Sequence, residues 1–257
     1  MAQNAKPTDV LDGIEGVYDD LSKALKGRRP FVCVIDTQHP DTIRQKMKEP
    51  RGYWYISHLR KIVKELSGLP CAAVHYTQIK KADLTGKGVH ALIITARSGA
   101  LDKAYDEELF ALIRETDIPT IGFCGGCQLI AQAYGARVDL MRELKAGEAD
   151  PHPAYTPGRF KEWGFTKVKV TAADPIFKGL GKEIVVNEMH AWEIKELPTE
   201  FDVLASTDEC KIQVIRHKEK VLYGTQFHAE HYDAEHPDGE VLLGNFFTIA
   251  KKTKRKR

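Results

Sequence analysis

No apolar run in this chain is long enough to cross a membrane. Its opening residues, Met1-Ala-Gln-Asn-Ala-Lys6, also have no apolar core of the secretory-signal kind. The expectation is a cytoplasmic protein with no membrane partner. Cysteine is scarce and scattered: Cys33, Cys71, Cys124, Cys127 and Cys210 make five in 257 residues. An odd, irregularly spaced set excludes a secreted disulfide framework. Cys33 and Cys71 lie in apolar, strand-like runs and read as buried small hydrophobes. There is no internal repeat, and the phosphate-cradling pattern G-x-x-x-x-G-K-S/T is absent. A large charge of one sign is missing too, since the net charge is only +2. That balance is uneven, because the last seven residues hold six basic groups, and removing them leaves −4 on the remainder. A basic tail either binds an acidic partner or is a solvated end; the second is the commoner fate of a terminus, and the body has no nucleic-acid signature.

The residues that are present are ordinary for a globular protein, 42% apolar and 29% charged. Apolar positions at three- and four-residue spacing (Val10, Leu11, Ile14, Val17, Tyr18, Leu21, Leu25) predict an amphipathic helix over residues 8–26. Phe31 to Asp36 is a continuous apolar run of the kind found in parallel strands covered on both faces. Helices are expected over 56–66, 105–115 and 240–251, and strands over 72–77, 91–95 and 119–123. This alternation predicts an α/β protein with a mostly parallel central sheet flanked by helices, in three layers. Beyond Gly135, short strands at hairpin-like spacing (167–170, 183–186, 202–205, 212–215, 221–224) predict a smaller, partly antiparallel section. Residues 37–55, with the aromatic cluster Tyr53-Trp54-Tyr55, and residues 142–162 read as insertions or loops. The expected organisation is an N-terminal helical extension (1–29), one domain (30–250) and a basic tail (251–257). The extension packs on its own domain or serves as a contact for a second copy or another partner.

Chemistry concentrates in Pro119-Thr-Ile-Gly-Phe-Cys124-Gly-Gly-Cys127-Gln128. A nucleophile on a sharp strand-to-helix turn needs small neighbours. Gly122-x-Cys124-x-Gly126 supplies them, with cysteine where the nucleophile elbow of hydrolases carries serine. The start of the following helix favours the thiolate. A cysteine nucleophile needs a base, and the base needs an orienting carboxylate. Both occur 104 residues on, where His228 follows an apolar strand and Glu230 stands two residues later.

These two segments closely resemble the class I (triad-type) glutamine amidotransferase domain. Its elbow reads G-I/V-C-x-G-H/M-Q, and its histidine segment reads G-V-Q-F-H-P-E. Here they stand as Gly122-Phe-Cys124-Gly-Gly-Cys127-Gln128 and Gly224-Thr-Gln-Phe-His228-Ala-Glu230. Asn187-Glu-Met-His190, followed by Leu197-Pro-Thr-Glu-Phe-Asp-Val-Leu-Ala-Ser206, is similar to a third family stretch, and the likeness runs over about residues 31–250. The resemblance implies a flavodoxin-like fold and hydrolysis of the glutamine amide to glutamate and ammonia through a γ-glutamyl thioester. It also implies a catalytic triad of Cys124, His228 and Glu230, with no metal and no cofactor. The oxyanion donors would be Gly125 and, from the loop after an earlier strand, Ser98 and Gly99. Gln128 and the backbone around Met189, His190 and Ala191 would hold the substrate. An ammonia-accepting synthetase on another chain would be the partner.

The chain departs from that pattern at several points. Cys127 replaces His or Met, Ala229 replaces proline, and Ala96-Arg97-Ser98-Gly99 replaces a Gly-Gly-Pro loop. Three other readings therefore stand beside it. They are a stand-alone γ-glutamyl hydrolase or peptidase, a scaffold that kept the fold without the activity, and a C-x-x-C redox pair. A zinc site from Cys124, Cys127, His228 and His231 fits poorly, because H-x2-H is tighter than usual zinc spacing. His231, Asp233, Glu235, His236 and Asp238 read instead as a solvated polar loop. The elbow assignment predicts that Cys124 alkylates far faster than Cys127 at neutral pH. Peptide mapping after brief alkylation measures this, and equal rates at the two would contradict it.

Overall fold

The computed structural model describes residues 11–26, 30–79, 84, 88–98 and 103–253. Eleven strands are present among them. They are Phe31–Asp36 (β1), Cys71–His75 (β2), Val89–Ile94 (β3), Thr120–Phe123 (β4), Arg137–Leu140 (β5), Glu162–Val170 (β6), Glu183–His190 (β7), Trp192–Glu196 (β8), Phe201–Ser206 (β9), Val214–His217 (β10) and Leu222–Thr225 (β11). Nine of them form one sheet in the order β2-β1-β3-β4-β11-β10-β9-β6-β7. The stretch β2-β1-β3-β4-β11 is parallel, and from β11 to β7 every pairing is antiparallel. The continuous apolar runs of β1, β3, β4 and β11 follow from this placement. Strands in the middle of a parallel sheet have no wet face, so there is no position for a polar residue to alternate into.

Helices cover both faces. They are Leu21–Lys26 (α1), Pro40–Met47 (α2), Tyr55–Ser67 (α3), Lys103–Glu115 (α4), Gly125–Ala133 (α5) and Asp238–Lys252 (α6). On one face Ile56, Leu59, Ile62 and Val63 of α3 and Leu242, Leu243, Phe246 and Phe247 of α6 pack with Val32, Val34, Ile93, Ile121 and Phe123. On the other, Leu109, Leu112 and Ile113 of α4 and Leu129 and Ile130 of α5 meet Cys33, Ile35, Leu92 and Ile94. Alternate residues of one strand thus serve opposite layers, as the two-residue period of a strand requires. Cys33 is fully buried, as read from its run. No helix among the described residues is long and apolar enough to cross a membrane.

The helix expected over 8–26 is interrupted. Gly13 and Gly16 both take φ +79°, outside the right-handed helical region, and residues 11–20 run as turns. Helix begins only at Leu21, where the Asp20 carboxylate accepts from the amides of Ser22 and Lys23. Residues 8–10 lie outside the described residues. The apolar spacing marks burial without helix. Asp19 pairs with Ala73 at the edge of β2 through both its amide and its carboxylate, and the Tyr18 hydroxyl donates to Asp36. Within the described residues 11–26, the extension therefore packs on its own domain. Helix α2 inside residues 37–55 and the β5–β8 ribbon were not apparent in the sequence. Residues 142–161 form the expected loop, pinned where Arg142 bridges Glu148 and Glu209. Helix α6 runs to Lys252, two residues into the expected tail, and residues 254–257 lie outside the described set.

Close approach of the start of α5 to β3 makes one glycine indispensable. A Cβ at Gly126 would stand 2.2 Å from the Ile94 carbonyl oxygen, whereas one at Gly244 in α6 meets no described atom within 4 Å. Gly126→Ala is expected to cost about 3 kcal/mol through overpacking against backbone. Gly244→Ala is expected to add about 0.5–1 kcal/mol through helix propensity. Urea denaturation of the two variants measures both, and a Gly126→Ala protein as stable as wild type would contradict the packing.

Candidate active site

The parallel strands deliver their loops to one edge, where open α/β sheets place their ligands. Cys124 sits there between β4 and α5 with φ 47° and ψ −109°. Positive φ in a non-glycine residue stores strain of order 1–3 kcal/mol, so neighbouring contacts must hold it. The Cys124 amide donates to the Thr225 carbonyl of β11 at 2.7 Å, and its carbonyl accepts from Gln128 at 3.1 Å in the first turn of α5. The elbow is thus tied to the adjacent strand on one side and to its own helix on the other. Cys127, one turn along, is fully buried against Gly224, where an added Cβ would lie 2.6 Å from its sulfur. Burial raises the Cys127 thiol far above its usual range. This places Cys127 in the core, so the C-x-x-C does not form an accessible redox pair.

His228 follows β11, and its amide donates to the Asn187 carbonyl of β7 at 2.8 Å. Its Nδ1 pairs with Glu230 Oε1 at 2.8 Å, and the ring lies close enough to Cys124 to interact with it electrostatically. The structure therefore brings Cys124, His228 and Glu230 together as expected. Burial works against charge on both partners, yet the pairing prevails. Against desolvation, the Glu230 charge, the nearby Cys124 and the Glu230 hydrogen bond lift His228 well above the ordinary imidazole range. Glu230 is likewise desolvated, but the His228 charge and hydrogen bond, His231 and the Tyr55 hydroxyl hold its carboxyl down to about 2.

Much of this support comes from a segment read only as an aromatic insertion. Tyr55 donates to Glu230 Oε1 at 2.6 Å, and His58 Nε2 lies 3.0 Å from the Glu230 carbonyl oxygen. His231 is not part of a solvated loop. Its ring stacks on His228 at 4.8 Å between centroids with 7° between planes, and Trp54 stacks on its other side. Burial pushes the His231 imidazole down to about 4, which keeps a second positive charge away from His228. His236 stacks on Phe165, and Asp238 accepts from the Val185 amide, so these two are engaged as well. Asp233 and Glu235 are exposed, as expected.

The opposite wall is made by Gly125, Gln128, Tyr155 and Trp192. These residues line a cavity of about 490 Å³ together with Arg97 and Ser98. The loop after β3 arranges its donors differently from the expectation. Ser98 commits its amide to Gln38 Oε1 at 2.7 Å, with its hydroxyl on the same oxygen, and Gly99 lies outside the described residues. The amide that abuts Gly125 is that of Arg97, since a Cβ at Gly125 would lie 2.5 Å from it. The Arg97 guanidinium pairs with Asp106 at 2.7 Å and lies over the Tyr76 ring.

Of the expected substrate-holding residues, Gln128 lines the cavity and Met189 is exposed at the end of β7. Ala191 is buried, its carbonyl accepting from Met141. His190 is also buried and does not face the pocket. Its Nδ1 donates to the Trp192 carbonyl at 3.0 Å, and its Nε2 lies 3.1 Å from both Glu162 and Glu188. Burial opposes the charge, but the two carboxylates raise His190 to about 10 and keep it an imidazolium. Desolvation raises Glu188, and Glu162 also accepts from Thr207 and Gln213. Two clusters among the described residues have metal-capable spacing, Glu162-His190-Cys210 and His228-Glu230-His231. Neither includes Cys124 or Cys127, so the zinc set considered from the sequence does not assemble.

Known proteins resemble this chain in sequence and in fold. The family model "Glutamine amidotransferase class-I" matches residues 54–250. A glutamine-hydrolyzing GMP synthase subunit from Archaeoglobus fulgidus is 35% identical over 166 residues, covering 65% of this chain and 79% of that protein. Its counterpart in Methanococcus maripaludis is 33% identical over 197 residues, covering 76% and 91%. Among solved structures, a GMP synthase subunit protein from Thermoplasma acidophilum superposes with a TM-score of 0.64 at 26% identity, covering 86% of this chain and 94% of that one. A glutamine amidotransferase from Thermotoga maritima shares the fold, with a TM-score of 0.60 at 16% identity over 86% and 99%.

The His190 network gives a stability signature. A histidine raised on folding from 6.5 to about 10 contributes stability that is complete below pH 6.5 and lost as pH rises through about 10. Wild type is therefore expected to lose more stability than His190→Gln between those limits. Chemical denaturation at both pH values tests this; identical pH slopes would show that His190 is not held charged.

Proposed function

The chain belongs to the class I glutamine amidotransferase family, and we propose that it hydrolyses the glutamine side-chain amide through Cys124, His228 and Glu230 to supply ammonia to a separate synthetase subunit. The observation that carries this reading is the strained Cys124 facing an imidazole that is held charged by a fully buried carboxylate. With His228 as imidazolium, the Cys124 thiolate attacks the amide carbon. The oxygen that becomes negative lies toward the amides of Gly125 and Arg97, so the proposed second donor moves one residue back from Ser98. As the C–N bond breaks, His228 gives its proton to the departing ammonia and a γ-glutamyl thioester remains. Water then attacks the thioester carbon, His228 takes its proton, and glutamate leaves. Glu230 stays ionised throughout, fixing the ring with Nδ1 protonated.

The partner follows from the relatives. Those most fully covered are glutamine-hydrolyzing subunits of GMP synthase, so the proposed acceptor of ammonia is the corresponding synthetase subunit. A stand-alone γ-glutamyl hydrolase is the second reading, because the loop after β3 departs from the family pattern; in that loop the Arg97 amide stands against Gly125 and its guanidinium pairs with Asp106.

Ammonia release from glutamine, assayed with and without the synthetase subunit, tests the proposal. Cys124→Ala is expected to lower kcat by about 10⁴-fold or more, and Glu230→Gln by about 10³-fold with the fold retained. Wild-type turnover by Cys124→Ala would sink the reading. Cleavage of γ-glutamyl peptides but not glutamine, with the synthetase present, would replace it by the hydrolase.

A further inference from the structure

The Cys124 sulfur has a polar neighbour besides His228. Gln226 Nε2 lies 3.7 Å from it, within donor range for a large, diffuse acceptor. Gln226 is fully buried, and its own amide donates to the Gln213 carbonyl at 2.7 Å, so neither backbone nor side chain is free to wander. Which end of a carboxamide faces a neighbour is decided by its other partners, and here they form an unbroken series.

The series starts at the Trp192 carbonyl, which can only accept. His190, protonated on both nitrogens between Glu162 and Glu188, donates to it through Nδ1. Gln128 must then present its NH2 end to the same oxygen, at 2.9 Å. The second hydrogen of that NH2 reaches Gln226 Oε1 at 3.1 Å. With Gln226 Oε1 turned toward Gln128, its NH2 end is directed at Cys124 Sγ. The Trp192 carbonyl thus sets the direction of a donor at the nucleophile, through two carboxamide side chains.

We propose that Gln226 is a further catalytic residue, whose N–H is held on the Cys124 sulfur by Gln128 acting as a positioning residue. The assignment rests on the reading of Cys124 as nucleophile. Gln226 moves no proton: it keeps both amide hydrogens, and proton transfer stays with His228. Its donor is worth most when the sulfur carries full negative charge, before attack and again when the thioester breaks and the thiolate leaves. Because the donor is already oriented, no reorganisation is needed as that charge returns.

The test uses Gln226→Met, which keeps length and removes the donor, and Gln128→Met, which removes the lock. The readouts are the rate of Cys124 alkylation by iodoacetamide at neutral pH, kcat and KM for glutamine with the synthetase subunit, and thermal unfolding. Gln226→Met is expected to alkylate about tenfold more slowly and to lose at least about tenfold in kcat with KM little changed. Gln128→Met is expected to slow alkylation to a smaller extent, and the double variant should match Gln226→Met alone, because Gln128 acts through Gln226. A folded Gln226→Met protein that alkylates and turns over as wild type does overturns the assignment. If Gln226→Met does not fold, Gln128→Met decides, and unchanged alkylation there overturns it. Failure of the underlying reading looks different: Cys124→Ala would retain turnover whatever stands at 226.

Discussion

The buried pair of His228 and Glu230 is the interaction on which the site depends. Glu230 has no exposure, and its Oε2 has no hydrogen-bond partner among the described residues. Leaving such a carboxylate ionised in the core is costly unless opposite charge and donors surround it closely. Here the charge comes from His228, one donor from Tyr55, and the remaining enclosure from His231 and Trp54. The start of α3 must therefore dock on the loop after β11. That docking in turn encloses His228 and leaves its ring directed at Cys124.

The antiparallel half of the sheet supplies the complementary constraint. β7 binds the backbone at His228 through Asn187, and three residues later His190 enters its own buried network with Glu162 and Glu188. Two histidines are thus paired with buried carboxylates near the site: His228 with Glu230, and His190, which shares the Trp192 carbonyl with Gln128, with Glu162 and Glu188. The parallel half contributes the strained elbow and the Arg97 amide. The site lies beside β4 and β11, the last strands of the parallel half, next to the point at β11 where antiparallel pairing begins.

The parts legible in the sequence were those whose physical cause is local. Gly122, Cys124 and Gly126 report a sharp turn because the turn itself needs small residues. His228 and Glu230 lie two apart because one short turn brings a carboxylate to an imidazole. The continuous apolar runs identify parallel strands because burial on both faces leaves nothing to alternate. Local patterns misled where a distant contact decides. The spacing over 8–26 suggested a helix, but Gly13 and Gly16 turn the chain, leaving Ile14 buried and the other described apolar side chains half-buried. His190 matched a pocket position yet belongs to a charged cluster in the core. Cys127 looked like half of a redox motif but is packed against Gly224.

Tyr55, Arg97 and Gln226 were out of reach for the same reason. Tyr55 meets Glu230 from 175 positions away, and Gln226 meets Cys124 from 102. No residue type or spacing records such a meeting. The sequence alone determined the layered α/β architecture and the candidate triad Cys124, His228 and Glu230, since periodicity and short-range stereochemistry are written in neighbouring residues. Tertiary structure alone decided which amides face the nucleophile, which carboxylates stay ionised, and which way each carboxamide points. Those outcomes depend on burial and on the order of donors and acceptors between segments that only folding brings together.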